Sequence, residues 1–444
     1  MIKKPLLLTI FLFGSLIIRA QEYKTLSLKD AITIALSKSH EIILANSKVE
    51  TSKLELETVR NNWYPNLRLT GQYLRLNSAN VDGALLGGGN SQNSSSSGGA
   101  KPDINSLLLG QANFSMPLFG GFRLQNNIEL SENSLKLQKA QNLFTKEQIA
   151  LRVVELFAQM YQANQTVQLF TDNLLASNQR VKDFSALVDN GLLARNDLLK
   201  SQLQSSKIQL LLDAALKNVA VINFQLVSLL QFSEKTIITI DIETIKNEML
   251  LTQKQTLLGL RNDMEALTFQ QKVAETGVKL SKSKYYPNVN LVAGYIGLDL
   301  KNALQVSNAM NVGIGVSYDV TSVFKNNKEV KLAQSKTNQV KESIAILSDK
   351  IKEETQIANE NYKLSVKQNS VYNLAVEQAT ENFRIVKDKY DNGLSNTNDL
   401  IEADVEQLQS KINLSLSQAD IALKFYQLQF ASGNLLNSFN LNSK

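Results

Sequence analysis

The chain has 444 residues, of which 43% are hydrophobic and 20% charged, a globular composition that excludes wholesale disorder; only 5 are proline, which favours long uninterrupted helix. It has no cysteine and one histidine, which excludes disulfide frameworks, thiolate or His-rich metal sites and thiol catalysis, and argues against a catalytic triad. The formal charge of +6 falls to +3 without Lys3, Lys4 and Arg19, too small an excess to indicate a nucleic-acid partner.

Those three cations belong to residues 1–20, which read as an export signal. Lys3 and Lys4 form a charged start, Pro5 to Ile18 is an uncharged apolar run, and Ala20 is a small residue at a cleavage point. The run is too short for a comfortable membrane span of about 20 residues. An uncleaved anchor is the alternative. No later stretch reads as a transmembrane helix.

A helix is expected near residues 27–61. His40 lies at the end of a short helix there and reads as a satisfied polar side chain. Trp63, Tyr64 and Pro65 close the segment, and the period then changes to two. Leu67, Leu69, Gly71 and Tyr73 alternate with Arg68, Thr70 and Gln72. After a Gly/Ser/Asn tract over residues 83–100, which reads as a mobile loop, the alternation returns at Gly110, Ala112, Phe114, Met116 and Leu118. One apolar and one polar face is the pattern of a membrane barrel strand, although a soluble half-buried hairpin shares it. The export signal and the small loop residues favour the membrane. Leu69, Ala112 and Phe114 are then expected to meet lipid, with Arg68, Thr70 and Asn113 facing a lumen.

From residue 123 to 188 a heptad seam runs through Ile149, Val153, Leu156, Met160, Ala163, Val167, Phe170 and Leu174, with a polar slot at Ser177. Such a helix would be about 100 Å long at 1.5 Å per residue, and its narrow stripe suits coiled-coil contact with neighbours. Asp189, Asn190 and Gly191 stop it, with Gly191 suited to a left-handed terminus, and Asn196 or Asp197 is expected to cap the return. A second seam follows through Ile208, Leu212, Ala215, Val219, Ile222, Leu226 and Leu229. Residues 233–254 read as a linker.

The layout then repeats. A helix near 255–284 ends at Tyr285, Tyr286 and Pro287. Strands follow at Val289, Leu291, Ala293 and Tyr295, and at Met310, Val312, Ile314, Val316, Tyr318 and Val320. Leu291, Ile314 and Val316 are expected on the lipid side and Asn290 on the lumen side. Tyr64-Pro65-Asn66-Leu67 matches Tyr286-Pro287-Asn288-Val289 at a shift of 222, and Asp189-Asn190-Gly191-Leu192 matches Asp391-Asn392-Gly393-Leu394 at 202. The 20 extra residues of the first half lie between Tyr73 and Ser115, where the Gly/Ser tract falls. The domains are therefore a signal peptide (1–20), a first repeat (21–232), an equatorial linker (233–254), a second repeat (255–436) and a tail (437–444). Each repeat orders its elements as helix, two strands and a long helical hairpin. Four strands cannot close a barrel, and open edges in lipid leave backbone groups unpaired. The chain is expected to oligomerise; three copies supply twelve strands. Trp63, Tyr64, Tyr285 and Tyr286 suit a membrane–water interface, or a hydrophobic staple at a helix end.

With the duplicated order, Trp63-Tyr64-Pro65-Asn66, Pro117-Leu118-Phe119-Gly120-Gly121 and the paired hairpin tips, the mature chain resembles the TolC-like outer-membrane efflux proteins. The resemblance implies a mainly α fold with membrane β: a homotrimer whose twelve strands form an outer-membrane barrel and whose helices form a periplasmic tunnel with an equatorial collar. It implies a passive exit duct working with a periplasmic adaptor and an inner-membrane transporter. Asn190, Gly191, Leu192 and Asn392, Gly393, Leu394 correspond to the tips that meet the adaptor, with Asn in place of a small apolar residue in both. Asp399 and Glu402 correspond to acidic residues that narrow the tunnel; helix capping is the other reading of Asp399. Tyr390 matches a gate tyrosine, while the position of its arginine partner is Ser395.

A diffusion porin would leave the dominant helices unused, and an exported structural coiled coil would not explain four amphipathic strands in two pairs. No residue constellation supports an enzyme, a cofactor or a metal.

Overall fold

The computed structural model describes residues 23–79, 104–240, 261–301 and 304–441. The expected export signal, the Gly/Ser tract, most of the linker and the last residues of the tail lie outside them. The protein is mostly helical. In chain order it comprises β1 (Tyr23–Leu26), α1 (Leu28–Lys38), α2 (His40–Arg60), β2 (Asn66–Ala79), β3 (Ile104–Phe119), α3 (Arg123–Asp189), α4 (Arg195–Leu230), β4 (Ile237–Ile240), α5 (Asn262–Ser283), β5 (Asn288–Leu300), β6 (Leu304–Ser317), α6 (Val320–Asp391), α7 (Thr397–Ala431) and α8 (Leu435–Ser438). The described residues divide into two compact units, bounded by Met1–Leu44, Phe144–Arg261 and Ile351–Lys444 in one, and Ala45–Leu143 and Asn262–Lys350 in the other. Each unit draws on both sequence repeats.

The second unit holds a four-stranded antiparallel sheet in the order β2-β3-β5-β6. Directly paired residues share a face, so the register tests the alternation. Leu67, Phe114, Ala293 and Val312 form one cross-strand row, and Leu69, Ala112, Tyr295 and Met310 the next. Met116, Leu291 and Ile314 continue the same face. Its side chains are half-buried in the middle strands and bare on the edge strands, where Leu69 is 74% exposed and Val312 78%. Between these rows run Arg68, Asn113, Gly294 and Asn311, and Pro117, Asn290 and Gly315, on the opposite face. The helices follow the strand order. Arg60 of α2 donates to Glu132 of α3 (2.7 Å), Lys279 of α5 to Glu129 of α3 (2.7 Å), and Asn326 of α6 to the Ser281 carbonyl of α5 (2.7 Å).

The first unit is built around the predicted seams and a short strand pair that the sequence patterns do not show. β1 and β4 pair in parallel, Tyr23 opposite Ile237 and Leu26 opposite Ile240. Leu28, Ala31, Ile32 and Ala35 recur at helical spacing along α1 and are buried. They pack with Ile149, Val153, Phe157 and Met160 of α3, Leu226 and Leu230 of α4, Phe425 and Tyr426 of α7, and Leu435 and Phe439. A smaller cluster joins Phe170, Leu212, Ala215, Leu408 and Ile412, so both heptad seams are buried where the alternating steps of four and three place them.

Several expectations need correction. The helix expected at 27–61 is two, because Ser39 leaves the helical region (ψ 135°), and His40 opens α2 rather than ending a helix. Tyr318 and Val320 are not strand residues: β6 stops at Ser317, and the Asp319 carboxylate accepts the Thr321 N–H (2.9 Å), starting α6. The expected caps Asn196 and Asp197 lie inside α4; the cap position is Ala194, whose side chain makes no capping bond. By length and composition α4 does qualify as a membrane span, with a window of mean hydropathy 1.5. Its apolar residues divide between the buried seam and an exposed stripe through Leu199, Leu203, Leu210 and Phe224, a distribution that suits contact with protein on two flanks.

Candidate functional site

The two hairpin tips share one backbone solution. At the end of α3 the Gly191 N–H donates to the Val188 carbonyl (2.9 Å) and the Leu192 N–H to Leu187 (2.8 Å). At the end of α6 the Gly393 N–H donates to Tyr390 (3.0 Å) and the Leu394 N–H to Lys389 (2.7 Å). This is the Schellman pattern, and it requires the left-handed φ of +70° at Gly191 and +73° at Gly393. Asn190 and Asn392 also have a local task. Each side-chain amide donates to the carbonyl four residues back, Ala186 and Asp388, at 2.7 Å, satisfying groups a helix end leaves unpaired. Leu192 and Leu394 lie just beyond, 74% and 78% exposed, an apolar side chain at each tip.

The constriction candidates differ in their surroundings. Asn396 caps α7, its side chain accepting the Asp399 N–H (3.1 Å), so Asp399 is not the cap residue. Asp399 instead stands in the first turn, where a carboxylate suits the helix dipole, and accepts the Ser395 hydroxyl (2.9 Å). Glu402 is exposed one turn on, and among the described residues it has no ion-pair partner. In the first repeat the equivalent Asp197 is neutralised by Lys200 at 3.4 Å. Tyr390 stacks on Phe184 of α3, ring centroids 5.8 Å apart, and Phe184 is buried.

Sequence reasoning missed the polar link between the repeats. Arg180 of α3 donates to Asp404 of α7 (3.0 Å), with Asn173 adding a bond at 3.3 Å, and both charged side chains are nearly buried. The equivalents in the other repeat are Asn382 and Gln202, so symmetry gives no signal, and the pair lies 224 residues apart. On the exposed surface of α6, Arg384 bridges Glu381 (2.7 Å) and Asp388 (2.9 Å). Its hydrogen bond holds the Glu381 carboxyl below the usual carboxylate range.

The aromatic candidates sit at the strand-to-helix junctions. Tyr64 and Tyr286 are exposed, Tyr285 half-buried, and Trp63 lines a cavity of about 610 Å³ with Asn288, Asn290 and Arg123. Tyr286 packs edge-on against Phe119, which meets Phe122 in the same way. Gly121 makes this corner possible: at φ +63°, an added Cβ would fall 2.5 Å from the Ser283 carbonyl oxygen and 2.8 Å from the Tyr286 Cβ. Among the described residues no group of three His, Asp or Glu could hold a metal ion.

The described residues thus combine apolar rows on one face of a sheet with two long helical hairpins. The model of the outer membrane efflux protein family matches residues 31–230 and 254–434. The outer membrane efflux protein BepC of Brucella suis is 21% identical over 328 residues, covering 72% of this chain and 70% of BepC. The outer membrane protein VceC of Vibrio cholerae superposes with a TM-score of 0.75 at 14% identity, covering 91% of this chain and 96% of VceC. The CmeC outer membrane channel of Campylobacter jejuni gives 0.75 at 13%, covering 92% and 86%. The chain belongs to the outer membrane efflux protein family, and is an outer-membrane protein with a large periplasmic helical part.

Proposed function

We propose that the chain is the passive exit duct of a tripartite export system, assembled as a homotrimer. The observation that carries this reading is the sheet: its apolar rows are aligned in register on one face, and β2 and β6 are edge strands with no second partner among the described residues. An open edge in hydrocarbon costs several kcal/mol per unpaired group, and closure with two further copies gives twelve strands and no edge. The apolar face then meets outer-membrane lipid, the polar face lines the lumen, and Trp63, Tyr64, Tyr285 and Tyr286 mark the membrane–water boundary. The repeats 21–232 and 255–436, joined by the linker 233–254 and followed by the tail 437–444, form the duct after removal of residues 1–20.

The tips fit contact with a periplasmic adaptor, because Leu192 and Leu394 are apolar, bare and held by rigid turns. Asp399 and Glu402 would set the constriction, with Tyr390 steadied on Phe184. Energy comes from the inner-membrane transporter. The test is to extract the protein from outer membranes, look for a heat-modifiable trimer band, and record conductance in planar bilayers. A stable monomer, or a trimer that conducts no ions, overturns the reading.

A further inference from the structure

The polar face of the sheet and the helix starts beneath it carry an excess of cations. Along the paired polar rows of β2, β3, β5 and β6, from Asn66 to Gln72 and their partners, Arg68 is the only charged residue, and no carboxylate occurs there. Directly below, each repeat places a cation at the first turns of its long helix. Arg123 follows Gly120-Gly121-Phe122, and Lys325, its equivalent at a shift of 202, follows Phe324. Arg123 and Lys325 line one cavity of about 350 Å³ together with Asn288, a polar-face residue. Arg123 also lines the larger cavity that reaches Asn290 and Ser317. Both are exposed, and among the described residues neither has an ion-pair partner. The two carboxylates of the smaller cavity are engaged: Glu329 with Lys284, and Asp319 with the Thr321 N–H. The cavity wall thus carries three cations against two bound carboxylates, with Arg68 on the adjoining face.

We infer that Arg68, Arg123 and Lys325 form an anion-attracting zone in the barrel lumen, selecting small anionic solutes, or the carboxylate and phosphate groups of larger ones, on the way out. The inference rests on the reading of the polar face as lumen. Three copies bring nine such cations to one conduit, and an excess of positive charge along a confined path raises the local concentration of anions. Lys and Arg differ in how they hold an anion, as a point charge and as a planar fork, so the zone attracts by charge rather than by a fixed geometry.

The chain has no cysteine, so single thiols can report the local potential. Asn113→Cys places a thiol directly opposite Arg68, and Phe114→Cys places one on the apolar face. In outer-membrane preparations, each is treated with a sulfonate-bearing and a trimethylammonium-bearing methanethiosulfonate. Expected is faster labelling of Asn113→Cys by the anionic reagent, by on the order of tenfold over the intrinsic ratio of the reagents. That preference should fall in the Arg123→Gln/Lys325→Gln background, collapse when Arg68→Gln is added, and persist with Arg123→Lys. Lys328→Gln, an exposed change on the same helix, should leave it intact. A thiol at 113 that reacts without charge preference overturns the anion zone alone and leaves the duct standing. A thiol at 113 that is inert while one at 114 reacts shows the faces to be reversed, and overturns both.

Discussion

Gly121 and Gly393 have the same backbone hand and different surroundings, and the difference is measurable. At Gly393 an added Cβ meets nothing within 4 Å, so Gly393→Ala carries only the left-handed backbone penalty of about 1–2 kcal/mol. Gly121→Ala adds a collision with the Ser283 carbonyl, which is backbone and cannot swing away. Thermal unfolding in detergent should show a modest drop for Gly393→Ala and little folded protein for Gly121→Ala. The missing cap at α4 offers the converse experiment. Ala194 already has extended dihedrals (φ −71°, ψ 139°), so Ala194→Ser should stabilise by about 0.5–1 kcal/mol, whereas Asn396→Ala should lose a similar amount; unchanged denaturation midpoints in both would show that the tips do not contribute. The buried pair behaves differently again. Arg180→Met alone leaves the Asp404 carboxylate stranded and should cost about 3–5 kcal/mol, while Arg180→Met/Asp404→Leu should recover most of it, as read from urea midpoints.

At the scale of elements, the period of two assigned the strand faces and the register agrees. Phe114→Arg should therefore cost about 2–4 kcal/mol near a bilayer midplane, and Asn113→Arg little, in urea titrations of the protein folded into vesicles; equal costs would contradict the lumen assignment. The sequence was legible where a pattern repeats over many residues or recurs in both halves: the heptads of α3 and α4, the alternation of the four strands, the paired turns at Gly191 and Gly393. It was silent where an element is short and its partner distant. Tyr23–Leu26 and Ile237–Ile240 are four residues each, too short for a period, and they pair across more than two hundred residues. Helix starts also misled, because Asn196, Asp197 and Asn396 are all capping types and only the backbone distinguishes position 194 from 196. In the site, the turns could be read from local residue types. The Arg180–Asp404 pair could not, since it has no counterpart in the other repeat.

For the whole molecule, the paired carboxylates Asp399 and Glu402 would become six in a trimer. Replacing both with Ala should raise conductance in planar bilayers, lower cation preference and weaken block by divalent cations; Asp197→Ala should do less, because Lys200 already neutralises that site. Unchanged conductance, selectivity and block would place the gate elsewhere. The strand order carries a different consequence, for biogenesis. β3 hydrogen-bonds to β5 rather than to a strand of its own repeat beyond β2, with Leu107 opposite Leu300, and the N-terminal β1 waits for β4. Export delivers the chain from its N-terminus, so the first hairpin reaches the periplasm with an apolar face and an open inner edge before β5 has arrived. Contacts of such sequence separation form late and leave sticky surface exposed in the meantime. A chain truncated after residue 240 would keep the β2–β3 hairpin and offer nothing to cover β3. It should aggregate or be degraded rather than accumulate as a half-sized duct, and the intact chain should depend on periplasmic holdase capacity during the interval in which its second half is still being delivered.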